Sequence, residues 1–365
     1  MARELAADEQ YVVTAVDASA ENLKRLADVP RLAARQVDLA DAERLRAVMA
    51  DADVVLGALP SRMGLRMLEA VIRIGKPYCD ISFMPEDALA LNELAKRHQI
   101  TAVVDCGVSP GLSNMMVGYA HAQLDRTDRA EILVGGLPKA RHWPFQYKAP
   151  FAPSDVIEEY VRPARMRENG RLVVKPALSE PEQIDVPGVG SLEAFNTDGL
   201  RSLLTTVNIP DLREKTLRYP GHIELMRILR DTGYFSSDPI YIESAKVRPL
   251  DVTAKLLFPK WKLDDGEAEF TFLRVVVEGV KDDRLVRHSF EMIDEYDPVR
   301  RMSSMARTTG FPCVIVAKML AEGRLSEYGV SPPENIARLP GVFEQMVLEL
   351  RARGVRIRHE VEQAA

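Results

Sequence analysis

The stretch YVVTAVD at residues 11–17 decides the fold of the first part of the chain. A short apolar and β-branched run that ends in a polar residue is typical of a buried parallel strand. Residues 1–10 before it have the apolar periodicity of a helix, and Ser19 after it is a suitable N-cap for another helix. The stretch is therefore predicted to be one strand of a sheet in which strands and helices alternate.

The same alternation continues over the first hundred or so residues. Further helices are predicted at residues 42–49, 65–74 and 85–98. Further strands are predicted at residues 35–38, 52–59, 78–81 and 101–104. Strand–helix units with right-handed crossovers build a parallel sheet with helices on both faces. Residues 1–112 are accordingly predicted to form an α/β Rossmann-like, doubly wound dinucleotide-binding domain.

The pattern changes after residue 112, where predicted strands follow one another more directly. These strands are at residues 130–137, 184–194, 251–257, 270–279 and 288–295. They predict an α+β domain with a mainly antiparallel sheet at residues 113–309, which would bind substrate and support oligomerisation. Residues 310–365, with helices at 314–321 and 343–352 and a short basic strand, are predicted to return to the cofactor domain.

The usual opening of a doubly wound sheet is missing from this sequence. Such a sheet begins with a strand, a glycine-rich turn that approaches a pyrophosphate, and a helix, whereas Met1 already lies in the predicted helix. An absent central strand would leave two strand edges unpaired. One explanation is a misassigned start, with about 15 to 20 further residues upstream. The other is a truncated chain that is inactive or reshaped, and the intact pattern of the remaining strands favours the first.

Composition excludes several classes of protein. The chain has 365 residues, is 46% hydrophobic and carries a net charge of -6, with both signs mixed. It is long enough for two domains, and it has no basic footprint for nucleic acid or anionic lipid. No apolar run reaches the roughly 20 residues of a membrane span. Three cysteines without a C-x-x-C motif predict no metal site and suit a reducing cytoplasm.

Several residues after the predicted strands are candidates for cofactor binding. Asp17 ends its strand where an acidic residue accepts hydrogen bonds from the adenosine ribose, which favours NAD over NADP. The alternative is that Asp17 only caps the next helix; its distance from the inferred turn favours the ribose role. Asp38 either meets the adenine or is a solvated loop residue, with equal weight. The loop under the dinucleotide is predicted to be Ala58, Leu59, Pro60 and Ser61.

Taken in order, these features resemble the saccharopine dehydrogenase family, including its lysine 6-dehydrogenase branch. The resemblance covers nearly the whole chain, and the ordered series is specific although no single block is. The blocks are DVV at 53–55, ALP at 58–60, YCD at 78–80, VDCGVSPG at 104–111, GGLP at 135–138, YK at 147–148, EAFNTDGL at 193–200, TLRYPGH at 216–222 and GFP at 310–312. The resemblance implies oxidation of an amine carbon or reduction of an imine, in a homodimer or higher assembly. It also suggests that Cys106 and Gly107 contact the nicotinamide, which is compatible with a structural role for the turn.

Three departures affect the expected substrate. Phe83 lacks the hydroxyl found near this position in saccharopine-forming members, Val134 stands in place of a cysteine and Ser109 in place of an aspartate. We therefore expect an NAD(P)-dependent oxidative deamination of L-lysine at the ε-carbon. The alternatives are a saccharopine dehydrogenase or reductase acting on a secondary amine, and a non-catalytic dinucleotide-fold remnant.

Three residues are candidates for proton transfer or electrostatic catalysis. Asp80 would accept a proton from the substrate amine or hold its ammonium, or, with equal weight, would only orient Lys76 or a loop N–H. His222 has a suitable pKa range, although a histidine after Pro-Gly can simply cap a helix. Lys148 could hold a carboxylate or polarise an imine, an assignment that rests on the family resemblance because most lysines are solvated.

The head group of the amino-acid substrate is the last expected partner. Asn196, Thr197 and Asp198 are predicted to bind it, and Arg218 is predicted to pair with its carboxylate in a bidentate manner. A small-molecule amino acid is thus the expected partner, with no nucleic acid and no membrane.

Overall fold

The alternation of strands and helices in the first part of the chain is present in a computed structural model, which describes residues 1–39 and 41–363. In chain order its first elements are α1 (Ala2–Ala6), β1 (Val13–Asp17), α2 (Ala20–Lys24), β2 (Leu32–Gln36), α3 (Ala42–Met49), β3 (Val55–Gly57), α4 (Gly64–Ile74), β4 (Tyr78–Asp80), α5 (Asn92–Arg97) and β5 (Thr101–Val103). Short 3-10 helices at Ser61–Met63 and Ala88–Leu91 precede α4 and α5.

The remaining elements contain the longest strands and the longest helix. They are α6 (Leu112–Gln123), β6 (Arg126–Pro138), α7 (Pro153–Val161), β7 (Ala164–Glu168), β8 (Arg171–Lys175), β9 (Glu182–Val186), β10 (Gly190–Asn196), α8 (Leu203–Thr206), β11 (Asp211–Arg218), α9 (His222–Asp231), β12 (Ile240–Ile242), β13 (Ala245–Val247), α10 (Pro249–Trp261), β14 (Glu269–Lys281), β15 (Arg284–Glu295), α11 (Ser304–Ala321), β16 (Gly329–Ser331), α12 (Pro333–Ile336), α13 (Val342–Ala352) and β17 (Arg358–Gln363).

The chain forms two units, and each is built from two separate stretches of sequence. The first unit contains Met1–Gly107 and Thr309–Ile336. The second contains Val108–Thr308 and Ala337–Ala365. The segment 310–365, which was expected to return as a whole to the first domain, is therefore divided between the two. Its last part belongs to the second unit because β17 pairs with β15 there, and Phe343 stacks on Tyr119 with ring centroids 4.3 Å apart.

Parallel strands form two sheets in the first unit. β1 pairs with β2 in one sheet, and the other has the order β16-β5-β4-β3, with parallel pairing throughout. Among residues 1–39 and 41–363, no strand pairing joins β1 to β3. The doubly wound arrangement is thus present in two pieces, and the described residues pair only one edge of β1 and one edge of β3.

Local sequence explains the helices around these strands. Asp41 caps α3 by accepting hydrogen bonds from the backbone N–H groups of Glu43 and Arg44. α4 buries one apolar face against the core of the unit, namely Met67, Leu68, Val71 and Ile72. It ends where Gly75 adopts a positive φ of 86°, a conformation that favours glycine.

A nine-stranded mixed sheet organises the second unit. Its main order is β17-β15-β14-β6-β11-β10-β9, and β7 pairs with both β11 and β8. β6 and β11 are parallel, whereas the other pairs are antiparallel. This agrees with the predicted fold class of an α/β cofactor domain and an α+β substrate domain.

Two segments of the second unit, each predicted as a single strand, differ from that prediction. Residues 251–257 lie in the helix α10, because Pro249 occupies its first turn and the buried residues Thr253, Leu257 and Trp261 recur at helical spacing. Residues 184–194 form the hairpin β9–β10, since Gly188 and Gly190 adopt positive φ values in the turn between the strands.

Candidate functional site

The carboxyl end of β4 carries a completely buried acid, Asp80. The hydroxyl of Tyr78 donates a hydrogen bond to its Oδ2 at 3.2 Å, and the backbone N–H of Asp105 donates to its Oδ1 at 3.3 Å. The backbone N–H of Cys106 donates to the Asp80 carbonyl at 2.7 Å. Because β4 and β5 are adjacent and parallel, the residues that follow each strand meet at one edge of the sheet.

The surroundings of Asp80 favour its protonated form. Burial raises the pKa of Asp80 well above its usual range, and the neighbouring Asp105 raises it further, while the hydrogen bond from Tyr78 has a smaller opposing effect. A carboxyl group with a raised pKa is suited to general acid–base chemistry near neutral pH. The alternative role also has a counterpart here, since Asp80 accepts a loop N–H, whereas Lys76 donates to the Ala50 carbonyl at 2.7 Å instead.

Gly57 allows the Tyr78 hydroxyl to reach Asp80. A Cβ atom at position 57 would lie 2.0 Å from that hydroxyl oxygen and 2.8 Å from the Cβ of Asp80. Gly57 is the neighbour of Asp80 across the β3–β4 ladder, so any larger residue would push the hydroxyl away. Sequence reasoning missed this role, and the available signal was a glycine inside a strongly apolar strand.

The expected cofactor residues in the first unit lie at strand ends. The Asp17 carboxylate accepts hydrogen bonds from the backbone N–H of Ser19 at 2.7 Å and from Nδ2 of Asn22 at 3.1 Å. These contacts match the alternative in which Asp17 supports the start of α2. Asp38 is exposed just after β2. The loop after β3 contains Ala58 and Pro60, which are exposed, and Leu59 and Ser61, which are half-buried.

A dinucleotide fits these residues only in part. Asp17 and the loop after β3 are placed where the adenosine half of a cofactor binds in such folds. The sequence contains no G-x-G-x-x-G turn for the pyrophosphate. The described residues also provide no strand pairing between β1 and β3, where the fold places that turn. The described residues thus supply candidate contacts for the adenosine half of a dinucleotide.

The turn after β5 brings a cysteine close to two others. Cys106 and Gly107 are buried, as expected for a tight turn. Cys106 directs its thiol to the carbonyls of Val103 and Val104 at 3.4 and 3.7 Å. Sequence reasoning did not group the cysteines, because the contact depends on how β4, β5 and α11 pack.

In the second unit, the candidate Arg218 is almost completely buried. Its Nη2 lies 2.6 Å from the Glu159 carboxylate, and its Nε donates to the Tyr160 hydroxyl at 3.2 Å. The guanidinium also lies over the Tyr147 ring, 4.5 Å from the centroid. The expected partner of a substrate carboxylate is therefore already paired within the unit, and Glu159 is the residue that sequence reasoning missed.

His222 lies next to this ion pair. Its Nδ1 is 2.7 Å from the Phe145 carbonyl, and its Nε2 is 2.8 Å from the Tyr160 hydroxyl. Because a carbonyl only accepts, Nδ1 carries the proton and Tyr160 donates to Nε2. Burial lowers the pKa of His222 to about 3, with a further contribution from the charge of Arg218. His222 is thus neutral at physiological pH and accepts a hydrogen bond from Tyr160, and its part in proton transfer stays a prediction.

Lys148 is held by two carboxylates. Its Nζ lies 2.5 Å from Glu267 and 3.3 Å from Asp264. The hydrogen bond from Lys148 to Glu267 is the main cause of a raised pKa of Lys148. The side chain therefore stays protonated and paired, as a fixed charge in the loop.

The predicted head-group residues Asn196, Thr197 and Asp198 are buried at the end of β10. Each makes its own polar contact, so the three side chains do not share a single partner. The partners are Glu180 for Asn196 at 3.1 Å, Glu214 for Thr197 at 2.6 Å and Arg165 for Asp198 at 2.8 Å.

Glu214 is a further buried acid that the sequence pattern did not reveal. It accepts hydrogen bonds from the Thr197 hydroxyl and from the backbone N–H of Gly199 at 3.0 Å. Burial raises its pKa to about 7. Gly199 permits this contact, since a Cβ there would lie 2.5 Å from the Glu214 carboxyl carbon.

Neither a metal-binding cluster nor a membrane-spanning helix is found among the described residues. Across residues 1–39 and 41–363, no three His, Cys, Asp or Glu side chains are grouped so that they could hold a metal ion. No helix within those ranges combines the length and the apolar character that a membrane crossing requires.

Comparisons with known proteins match both parts of the chain. The saccharopine dehydrogenase NADP binding domain matches residues 1–103, and the saccharopine dehydrogenase C-terminal domain matches residues 107–355. Alpha-aminoadipic semialdehyde synthase of Arabidopsis thaliana is 28% identical over 60% of this chain. The matched region corresponds to only 22% of that longer protein. Saccharopine dehydrogenase [NADP(+), L-glutamate-forming] of Schizosaccharomyces pombe is 20% identical over 91% of the chain and 89% of its own length.

A solved structure shows the same fold. The apo saccharopine dehydrogenase (L-Glu forming) from Saccharomyces cerevisiae superposes with a TM-score of 0.80 at 18% identity, over 99% of this chain and 96% of that chain. These comparisons also bear on the expected cofactor. The domain that matches residues 1–103 is described as NADP binding, so the preference for NAD predicted from Asp17 has no support and is corrected.

Proposed function

The chain belongs to the saccharopine dehydrogenase family of oxidoreductases, and we propose that it acts on the C–N bond at the ε-carbon of a lysine-like amino acid. The reaction we favour is the oxidative deamination of L-lysine, in which the ε-carbon is oxidised and ammonia is released. A nicotinamide dinucleotide would be the electron acceptor. The proposal concerns this chain's own residues, which bind the amino acid and move its proton.

We favour L-lysine because two cations in the second unit are already paired with acidic side chains. Arg218 is paired with Glu159, and Lys148 is paired with Glu267 and Asp264. A substrate carboxylate would have to displace these partners, and breaking a buried ion pair is costly. Saccharopine carries several carboxylates, whereas lysine carries a single one. A substrate with few carboxylates therefore suits this unit better.

Asp80 is the residue we propose for proton transfer. Its carboxyl group is buried and has a raised pKa, so its ionised form readily accepts a proton from a substrate ammonium and becomes the neutral acid that burial favours. Tyr78 and Asp105 orient the two carboxyl oxygens. Of the other candidates, His222 and Lys148 act as positioning residues in this proposal, and Asn196, Thr197 and Asp198 shape the end of β10.

Product analysis tests the reaction. Purified full chain is incubated with L-lysine or with saccharopine, each with NADP and with NAD, while reduced nicotinamide and ammonia are both measured. The proposal expects ammonia to form in step with reduced nicotinamide when L-lysine is present. The variant Asp80→Asn should lose turnover while keeping its fold by circular dichroism, and Asp51→Asn, an exposed acid of the first unit outside the candidate site, is the matched control.

The second candidate function is saccharopine oxidoreduction. It is favoured because relatives named saccharopine dehydrogenase align with this chain over most of their length. In the same assay it would give reduced nicotinamide and a second amino acid from saccharopine, with no ammonia. That result would replace the lysine proposal.

A non-catalytic dinucleotide-fold protein is the third candidate. It predicts no reduced nicotinamide with either substrate and either cofactor. Equilibrium dialysis with NADPH separates it from an enzyme of other specificity, because a remnant would not bind the cofactor. A homo-oligomeric assembly and a cytoplasmic location stay predictions, which light scattering and cell fractionation can test.

A further inference from the structure

Three cysteines that are far apart in the sequence meet inside the first unit. Cys79 lies in β4, Cys106 follows β5 and Cys313 lies in α11, and all three are buried and free. The Sγ atoms of Cys79 and Cys313 are 3.6 Å apart, although 234 residues separate the two positions. The Cys79 thiol is also 3.6 Å from the carbonyl oxygen of Cys313. β4 and α11 thus present two thiols directly to each other.

The three thiols differ in their surroundings. Hydrogen bonds from Cys106 and Cys79 lower the pKa of Cys313, whereas burial raises the pKa of Cys79 and Cys106. A thiol that ionises more easily is the better nucleophile. The Cys106 thiol also contacts backbone carbonyls at the end of its own strand. The contact of 3.6 Å makes Cys79 and Cys313 the facing pair, and the lowered pKa of Cys313 favours it as the sulfur that reacts first.

We propose that Cys79 and Cys313 form a reversible dithiol–disulfide pair, in which oxidation by a hydroperoxide links β4 to α11 within the native fold. A disulfide has a sulfur–sulfur distance of about 2.05 Å. The contact of 3.6 Å must therefore shorten by about 1.5 Å, which side-chain rotation and a small shift of α11 can supply. This inference does not depend on the proposed substrate.

Oxidation of the two thiols by a hydroperoxide takes place in two successive displacements. The Cys313 thiolate attacks one oxygen of the hydroperoxide, so an S–O bond forms and the O–O bond breaks, and the departing oxygen takes up a proton. The Cys79 sulfur then attacks the sulfenic acid. An S–S bond forms, the S–O bond breaks, and the departing hydroxide takes the Cys79 proton to give water. Two thiols are oxidised and one peroxide is reduced, and a dithiol reductant reverses the link.

The link would act on the strand that carries Asp80. Cys79 directly precedes Asp80, and its neighbour across the ladder is Val103 of β5. Drawing Cys79 toward α11 would therefore disturb the edge at which Asp80 meets Asp105. Oxidation is expected to change the acid–base properties of that edge, and reduction is expected to restore them.

Thiol counting and peptide mapping test the pair. The native full chain is treated with hydrogen peroxide, quenched, denatured and titrated for free thiols, and its peptides are separated without reductant. The proposal expects two of the three thiols to disappear, a peptide containing Cys79 to be linked to one containing Cys313, and reductant to reverse both. The oxidised chain should also unfold at a higher urea concentration than the reduced chain.

Single variants assign the partners. Cys106→Ala should still lose two thiols, and Cys313→Ala should keep both remaining thiols. Cys79→Ala should lose only the Cys313 thiol, as a sulfenic acid, and should give no linked peptides. If either of the last two variants fails to fold, the peptide map of the unaltered chain decides alone. A link between Cys106 and Cys313 would overturn the proposal. So would the survival of all three thiols under conditions that fully oxidise glutathione.

Discussion

A buried acid in the first unit and a buried cation in the second are stabilised in opposite ways. Asp80 lies beside a second acid, Asp105, and its raised pKa favours the neutral form. Arg218 lies against Glu159 and the face of Tyr147, so it stays charged. A neutral carboxyl group can give up its proton and take it back, whereas a paired cation can only hold its neighbours in position. In the proposed function, proton chemistry therefore belongs to the first unit and geometric support to the second.

The two units also differ in how their strands are joined into sheets. The second unit has one nine-stranded sheet, whereas the parallel strands of the first are divided between a two-stranded and a four-stranded sheet. Strand edges outside a ladder lack the hydrogen bonds that neighbouring strands provide. The first unit is therefore expected to open locally at lower cost than the second.

The largest expected effect comes from the ion pair of the second unit. Arg218→Met leaves the Glu159 carboxylate, whose side chain is 20% exposed, without its cation. We expect the free energy of unfolding to fall by about 3–5 kcal/mol, measured by urea denaturation. Arg126→Met is the control, because it removes an exposed ion pair with Asp128, and such pairs contribute far less to stability than buried ones. Equal losses in both variants would contradict a special role for the buried pair.

The second unit also contains a buried acid, Glu214, whose pKa is raised by burial as that of Asp80 is. The pKa of Glu214 rises from 4.5 to about 7 in the folded chain. The folded state thus binds more protons, so this contribution is complete below about pH 4.5 and is lost as pH rises to about 7. At about 1.4 kcal/mol for each unit of pKa, the loss is about 3 kcal/mol.

Glu214→Gln tests this pH dependence, since its amide oxygen can still accept from Thr197 and Gly199. Urea denaturation between pH 4 and 8 should show a smaller decline for the variant. Some decline persists because burial also raises the pKa of Glu269 to about 7. Identical pH profiles for the variant and the unaltered chain would show that Glu214 titrates normally.

A smaller effect is expected from the hydroxyl that orients Asp80. Tyr78→Phe removes a hydrogen bond to a buried carboxyl oxygen and should cost about 1–3 kcal/mol. It should also raise the pKa of Asp80 further, because that hydrogen bond lowers it, and so shift the acidic limb of any pH–rate profile upward. Tyr219→Phe is the control, since its hydroxyl donates to the Pro138 carbonyl in the second unit. It should lower stability by a similar amount with no shift of the profile.

The smallest effect on stability is expected at Asp17. Asp17→Asn keeps an acceptor for the Ser19 N–H, so the free energy of unfolding should change by at most about 0.5 kcal/mol. If the carboxylate lies near the ribose, removing its charge should strengthen NADPH binding relative to NADH. Fluorescence titration with both cofactors measures the ratio, with Asp51→Asn, an exposed acid in the loop after α3, as the control. An unchanged ratio would limit Asp17 to supporting α2.

Local patterns account for the parts of the fold that sequence predicts well. Residues 42–49 have both a cap and helical periodicity, and α3 has the same bounds. Residues 251–257, in contrast, were predicted as a strand. The spacing of Thr253, Leu257 and Trp261 instead fits a helix, which the packing of the unit selects.

The candidate site was less predictable because partners depend on tertiary packing. Asp80 could be identified from its position after a strand, but its neighbours Gly57 and Asp105 come from other strands. Arg218 could be identified as a cation, but no sequence pattern reveals that Glu159 of α7 neutralises it. The residues that reverse an expectation are thus those contributed by a distant element.

The interrupted order of the units affects how the chain can fold during synthesis. β16, at residues Gly329–Ser331, adds to β5 at the edge of the four-stranded sheet of the first unit. On the ribosome, that sheet must wait for a strand that is translated some two hundred residues later, after most of the second unit has emerged. The amino-terminal part of the chain therefore completes its four-stranded sheet only late in synthesis, and until then β5 is an unprotected template for pairing with other chains.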